Sequence, residues 1–212
     1  MPNCVGAIDG KHIAITCPKK SGSLFYNYKK FFSVVLIATC DANYMFTSVS
    51  VGSFGGHSNG SIFQTSKFGR SLLANKLPLP PKKPLTNRAT EAFPYFVVGD
   101  AAFPLKSNLM RPFPGMKLLR TKRIYIYQLS RARRVIENAF GTLVARWRIL
   151  RVRIKCYPEN VEKIVLACIA LHNFIMLNDH SRRYCPPNFA DWETCDNIVH
   201  DGDWHDVVDD AP

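Results

Sequence analysis

Three carboxylates in this sequence stand where a charge is expensive. Asp9 lies in CVGAIDGKHIAI, Asp100 in YFVVGDAAFPL and Glu137 in SRARRVIENAFG. The first two interrupt or end apolar, β-branched runs, and the third sits on an arginine-rich stretch with helical spacing. A carboxylate in such a setting needs a cation to hold it. Mg²⁺ and Mn²⁺ meet that need, because they take hard oxygen ligands in small number. Two such ions about 4 Å apart activate a water and stabilise a leaving oxygen in phosphodiester chemistry. Each acid also has an ordinary reading. Asp100 after Gly99 can cap a turn, Glu137 can pair with Arg133 or Arg134 one helical turn back, and Asp9 before Gly10 can be a turn aspartate. Local sequence alone does not decide between three separate roles and one shared site.

The charge distribution bears on the substrate. Net charge is +12 over 212 residues, but Met1 to Asn173 carries 26 Lys/Arg against 7 Asp/Glu, and Phe174 to Pro212 carries 2 against 9. A basic body suits a phosphate-rich partner. Lys29–Lys30, Lys82–Lys83, Lys122–Arg123 and the arginines of 131–134 are candidate phosphate contacts, continued by Arg146, Arg148, Arg151, Arg153 and Lys155. These last form a backbone-tracking stripe or a nuclear localisation signal, and we read them as the stripe. The acidic end either folds back as a polyanion mimic or is a solvated tail, and we read it as the solvated tail.

Seven cysteines (4, 17, 40, 156, 168, 185 and 195) include no C-x-x-C pair. An odd count without that spacing argues against a zinc ribbon and a disulfide framework, and for reduced core thiols in an intracellular protein. There is no secretory signal and no run of eighteen apolar residues, so no membrane role is expected.

The acids must be positioned by a small set of elements. Val5–Thr16 reads as a strand carrying Asp9. Phe31–Cys40 reads as a doubly buried strand, Asp41–Asn43 as a turn and Tyr44–Val51 as the returning strand of a hairpin. GSFGGHSNG (52–60) is a glycine-rich loop, 61–73 a helix and LPLPPKKPL (77–85) a connector that proline keeps out of helix and central strand. Phe93–Val98 is a strand leading into Asp100. Ser130 is the expected N-cap of a helix running to about Leu150, with Ile136, Phe140, Leu143, Trp147 and Leu150 as its buried stripe. A second helix, from about Asn160 to Leu177, is apolar nearly all round and expected to be central. Among other residues, His12 reads as a hydrogen-bonded strand residue, His57 as a substrate contact in the glycine loop, His172 as a core histidine and Asp41 as a turn residue. The order strand, hairpin, strand, helices predicts an α/β layer with a mixed sheet.

Six stretches in order carry a family resemblance: AIDGKHIAI, YNYKKFFSVVLIATCDANYMF, GGHSNGSIFQTS, VVGDAAFPLKSNLMRPFPG, LSRARRVIENAFGTLVARWRIL and CIALHNFI. Together they resemble the PIF/Harbinger family of DDE transposases, especially the domesticated Harbinger-derived nucleases of animals. The resemblance implies an RNase H-like mixed sheet flanked by helices and a divalent-metal carboxylate site. It also implies DNA as substrate and a nuclear setting, with cytoplasm as a second location. It carries the family's catalytic acids onto Asp9, Asp100 and Glu137, which would hold Mg²⁺ or Mn²⁺. Where the family commonly has a fourth acid in the glycine-rich loop, this chain has Asn59, a candidate auxiliary metal ligand through its carbonyl oxygen but without the charge.

These readings predict an endonuclease domain over 1–177 and a poorly ordered acidic tail over 178–212. The sequence begins eight residues ahead of Asp9, so the family's N-terminal DNA-binding region is expected to be absent from it, either because the chain is a fragment or because the module is lost, and a Myb-like DNA-binding protein is the implied partner. The competing reading is a catalytically impaired relic that binds DNA or protein without cutting.

Overall fold

The computed structural model describes residues 1–86 and 90–209. Its centre is a five-stranded sheet built from β1 (Cys4–Ala14), β2 (Ser33–Cys40) and β3 (Phe46–Phe54), followed by helices α1 (Asn59–Thr65) and α2 (Lys67–Leu73). The two-residue strands β4 (Lys83–Pro84) and β5 (Ala92–Phe93) pair with each other, and β6 (Phe96–Val98) and β7 (Leu109–Met110) then rejoin the main sheet. Helices α3 (Arg120–Arg146) and α4 (Pro158–Asn178) follow, and the chain closes with strands β8 (Trp192–Glu193) and β9 (Val199–His200) and helix α5 (Trp204–Asp209).

Strand order in the sheet is β3-β2-β1-β6-β7, antiparallel across β3-β2-β1 and parallel across β1-β6-β7. This is an α/β fold with a mixed sheet flanked by helices, consistent with the RNase H-like expectation. β2, SVVLIATC, is buried at every position, as a central strand covered on both faces should be. Alternation along β1 divides the core. Ala7, Ile13 and Ile15 pack with Ile136, Phe140 and Val165 on the α3–α4 side, and Ile8 packs with Ile62, Phe63 and Phe103 on the α1–α2 side.

Several boundaries differ from the sequence reading for identifiable reasons. The expected single helix over 61–73 is broken at Ser66, whose extended backbone ends α1 and starts α2. Its Oγ accepts from Gly69 N at 2.9 Å and donates to Phe63 O at 2.8 Å, so one hydroxyl serves both helix ends. α3 begins ten residues before Ser130, because 120–130 holds neither glycine nor proline, and it stops short of Trp147. Trp147 instead donates its indole N–H to Tyr184 OH at 3.0 Å, and Leu150 is buried from a 3₁₀ turn. α4 is not central: Phe174 and Leu177 are 63% and 67% exposed, while Val161, Val165, Cys168, Ile169 and His172 face the core. By length and composition α4 would suffice to cross a bilayer, but here it packs along β3.

Over its described part the acidic tail carries β8, β9 and α5; residues 210–212 lie outside the described residues. It folds back on the outer face of α3. Asn138 is the anchor: its Oδ1 accepts from Asp191 N (2.9 Å) and Trp204 Nε1 (3.1 Å), and its Nδ2 donates to Asp191 O (3.2 Å). Phe189 is 4% exposed beneath the Arg146 guanidinium, 4.1 Å from the ring centroid. The Trp204 ring lies on Gly141, where a Cβ would come within 2.3 Å of it. Charge composition predicts solvation, but two aromatics and a helix face kept small at 141 supply the burial that holds this segment down.

Gly141 is therefore a packing glycine. Gly141→Ala should destabilise the protein by about 1–3 kcal/mol through overpacking, against the gain of roughly 1 kcal/mol that alanine brings to a helix interior. Urea unfolding measures this. A net stabilisation would show that the Trp204 ring is not seated on the helix.

Candidate active site

The site forms where β1 outruns its neighbour. β1 and β6 run parallel in the register Ala7↔Val98, and β6 ends there. Two residues further on stand Asp9 and Asp100; strand alternation puts the Asp9 carboxylate on the α3 side, and Asp100 lies near enough to raise the Asp9 pKa. Asp9 remains paired on its other edge, opposite Ala38 of β2. Beyond Val98 the chain turns sharply. Asp100 Oδ1 accepts from Ala102 N at 2.9 Å, and Arg111 ties the turn down by donating to Ala101 O and Phe103 O, each at 3.2 Å. Gly99 is required by close packing: a Cβ would meet the Phe103 ring at 2.8 Å and an Ile8 methyl at 3.0 Å.

α3 brings the third acid. Its core stripe, with Ile136 and Phe140, docks on the sheet, and this leaves Arg133 and Glu137 on the flank beside β1. Arg133 Nη2 donates to Asp9 Oδ2 at 3.3 Å and to Glu137 Oε1 at 3.2 Å. One guanidinium thus joins two acids 128 positions apart. The Asp9 side chain is 18% exposed and Glu137 47% exposed. Arg133 Nε is buried with no hydrogen-bond partner among the described residues.

Electrostatics report the crowding. The Asp9 carboxyl is pushed above its ordinary value, first by burial and further by the charges of Asp100 and Glu137, against the lowering effects of Gly10 N–H and Arg133. The three acids are close enough to repel one another but are not gathered around a single point. Among the described residues, the group whose ligand atoms all lie within 4.8 Å of one another is a different one, Asp191, Asp201 and His205 in the C-terminal segment. There Asp191 Oδ1 is already engaged by Gly202 N and His205 Nε2, each at 2.9 Å. At the β1 site the donor chemistry fits divalent ions: hard carboxylate oxygens, partly buried, in mutual repulsion and bridged by a single cation.

Asn59 occupies the first turn of α1, behind the N-cap Ser58, whose Oγ accepts from Ser61 N at 3.2 Å. Its amide presses on Gly10, where a Cβ would lie 2.3 Å from Asn59 Oδ1, and a Cβ at Gly60 would lie 2.4 Å from Ala102 O. The start of α1 is thus wedged between β1 and the Asp100 turn. Because Gly10 faces opposite to Asp9, Asn59 sits on the far side of β1 from the Asp9 carboxylate.

Lys11 escaped the sequence reading. It follows Asp9 by two residues on the same face, and no carboxylate lies within ion-pair distance of it among the described residues. Burial, and then the charge of Lys29, push its ammonium below the usual lysine value, against the pull of Asp9. The signal was present as a lysine in phase with Asp9 on a strand.

The other singled-out residues have plain roles. His12 contacts Ser33 Oγ at 2.8 Å through Nδ1, and burial lowers its pKa, with Lys29 adding to the effect. His57 is exposed and packs edge-on against Phe54. His172 is fully buried between Tyr184 OH (2.9 Å) and Tyr44 O (3.0 Å), as expected of a core histidine. Asp41 caps its turn by accepting from Asn43 N and Met45 N.

The family described as DDE superfamily endonuclease matches residues 8–173. Among curated proteins, "Protein ALP1-like" of Arabidopsis thaliana is 31% identical over 185 residues, covering 83% of this chain and 44% of that protein. "Putative nuclease HARBI1" is 27% identical in Mus musculus (85% of this chain, 47% of the relative) and 26% identical in Homo sapiens (82% and 46%). The chain spans a little under half the length of these relatives. No solved structure matches it.

The raised Asp9 pKa has a definite sign for stability. The folded protein holds this proton more tightly than the unfolded chain does, so Asp9 favours folding at acid pH and opposes it as pH rises past the ordinary carboxylate range. In metal-free buffer, Asp9→Asn should raise the thermal midpoint at pH 7, and the gain should shrink as pH falls toward about 4. A lower midpoint at pH 7 would mean that Arg133 more than offsets the burial.

Proposed function

The chain belongs to the DDE superfamily endonuclease family, and from that membership we propose that it is the catalytic domain of a divalent-metal-dependent DNA endonuclease of transposase descent. The observation that carries the reading is the joining of Asp9 and Glu137 through Arg133, with Asp100 close enough to act on the Asp9 charge. Acids from β1, the turn after β6 and α3 approach one another, in a chain whose first 173 residues are strongly basic.

Mg²⁺ or Mn²⁺ held by Asp9, Asp100 and Glu137 would supply Lewis-acid activation of a water and neutralise charge at the leaving oxygen. The chain's own groups do the rest. β1 fixes Asp9 by its backbone pairing to β2, and the turn tied down by Arg111 fixes Asp100. Arg133 holds Asp9 and Glu137 in place while the pocket carries no other cation, and it is free to turn to a phosphate oxygen when one arrives. Lys11 extends the positive face along β1 to receive the phosphodiester. Asn59 braces Gly10 from the far side of β1. The reaction is in-line hydrolysis: the water oxygen bonds to phosphorus, the bond to the 3′ oxygen breaks, and a 3′ hydroxyl and a 5′ phosphate remain. A DNA substrate is in keeping with a nuclear setting, with cytoplasm as a second location. Choice of target falls to regions beyond this domain or to a partner, of which a Myb-like DNA-binding protein is the class implied by the resemblance.

A second reading, a binding module that grips DNA without cutting, is favoured by Asn59, which contributes no charge to the metal site. Metal and DNA titrations separate the two. Mn²⁺ should raise the unfolding midpoint of the native sequence by preferential binding to the folded state, and should do so far less for Asp9→Asn. With Mn²⁺ present, the native protein should nick supercoiled plasmid. Asp9→Asn, Asp100→Asn and Glu137→Gln should each lose about 10²-fold or more, as expected when a transition-state interaction is removed. Equal nicking by all four proteins would sink the site. DNA binding with no response to Mn²⁺ would leave the binding module as the function.

A further inference from the structure

The outer face of α3 carries a cationic stripe. Arg123, Tyr127, Arg131 and Arg134 follow at intervals of four, four and three, so they share one side of the helix. This side adjoins the flank that bears Arg133 and Glu137. The β8–β9 hairpin lies over part of it. Glu193 Oε2 accepts from Arg131 Nε and from Arg134 Nη1, each at 3.0 Å, and its Oε1 accepts from Tyr127 OH. Tyr127 OH also lies 2.8 Å from Asn197 Oδ1. The Glu193 side chain is only 6% exposed, while Arg131 remains 45% exposed.

This is an oxyanion in a cradle of two guanidiniums and a phenol, the donor set that suits a phosphate. The carboxylate that fills it belongs to a two-residue strand in a small hairpin. The rest of the segment is fastened independently, by Asn138 to Asp191 and Trp204 and by Trp204 on Gly141. The hairpin can therefore leave the arginines without unseating the segment. We propose that the Tyr127–Arg131–Arg134 face is a binding surface for the DNA phosphodiester backbone, and that Glu193 occupies it as an internal phosphate mimic which DNA displaces. Duplex held at the Asp9 pocket would run along α3 onto this stripe, and the tail would lower non-specific affinity until a backbone outcompetes it. The inference rests on the reading of DNA as substrate and adds a second contact surface and its competitor.

The test measures DNA affinity in buffer without divalent ions, using a mixed-sequence duplex and fluorescence anisotropy over a range of salt. Glu193→Gln should tighten binding about fivefold or more at low salt. The slope of log affinity against log salt should steepen by about one to two, because each freed arginine that meets a phosphate adds roughly 0.9 to it. Arg131→Ala with Arg134→Ala in the Glu193→Gln background should abolish both gains. Affinity and slope unchanged in Glu193→Gln would overturn the proposal. Should that variant fold poorly, hydrogen exchange on the native protein decides. Amides of residues 192–200 should lose protection when duplex is added, and unchanged protection at saturating duplex would equally overturn it. The two readings fail separately: gains without nicking would sink only the endonuclease, and nicking without gains would sink only the displaceable mimic.

Discussion

The arrangement depends on one unfavourable encounter, the burial of the Asp9 carboxylate close to two others. A strand of eleven residues in a mixed sheet has few positions for a charge. Asp9 takes one where β1 is still paired to β2 but has lost β6. Arg133 offsets the burial only in part, since Glu137 competes for it and its Nε finds no acceptor among the described residues. The surroundings accommodate this tension through tight packing. Gly10 gives way to Asn59, Gly99 to Phe103 and Gly60 to the Ala102 carbonyl. Side chains at those positions would push α1 and the Asp100 turn away from β1, and the acids would part. Stability yielded at this point is the usual mark of a place kept for a ligand.

Much of this was legible in the sequence because strand alternation and helical phase are local rules. Asp9 among β-branched residues, Asp100 two positions past an apolar strand and Glu137 on an arginine-rich helix were each singled out by the sequence, which left separate roles and a shared site equally open. Register did not declare itself. That Ala7 lies against Val98, which brings the Asp100 turn near Asp9, follows from packing between segments some ninety residues apart. Lys11 was missed for a related reason. A lysine in phase with an aspartate reads as solvated until the neighbouring strand and helix enclose it.

The contacts of the C-terminal segment were not legible because its charge was counted and its aromatics were not. Nine acids after Asn173 suggest repulsion and solvation, yet Phe189 and Trp204 are spaced to reach one helix face, and Glu193 meets arginines already gathered there. Helix limits failed at Ser66 and Trp147, where a single side chain found a partner better than the next turn. Ser66 closes one helix and opens another. The indole of Trp147 turns to Tyr184.

The seating of Trp204 on Gly141 reaches beyond this one molecule. A missing side chain in mid-helix and a large ring more than sixty residues later form a complementary pair, and neither is suited to the other's absence. A lineage that fills the hollow must surrender the ring, and one that surrenders the ring is freed to fill the hollow. The two positions should therefore be inherited as a unit, so that the residue at 141 in any cousin of this chain announces whether its C-terminal arm is clasped to the helix or hangs loose.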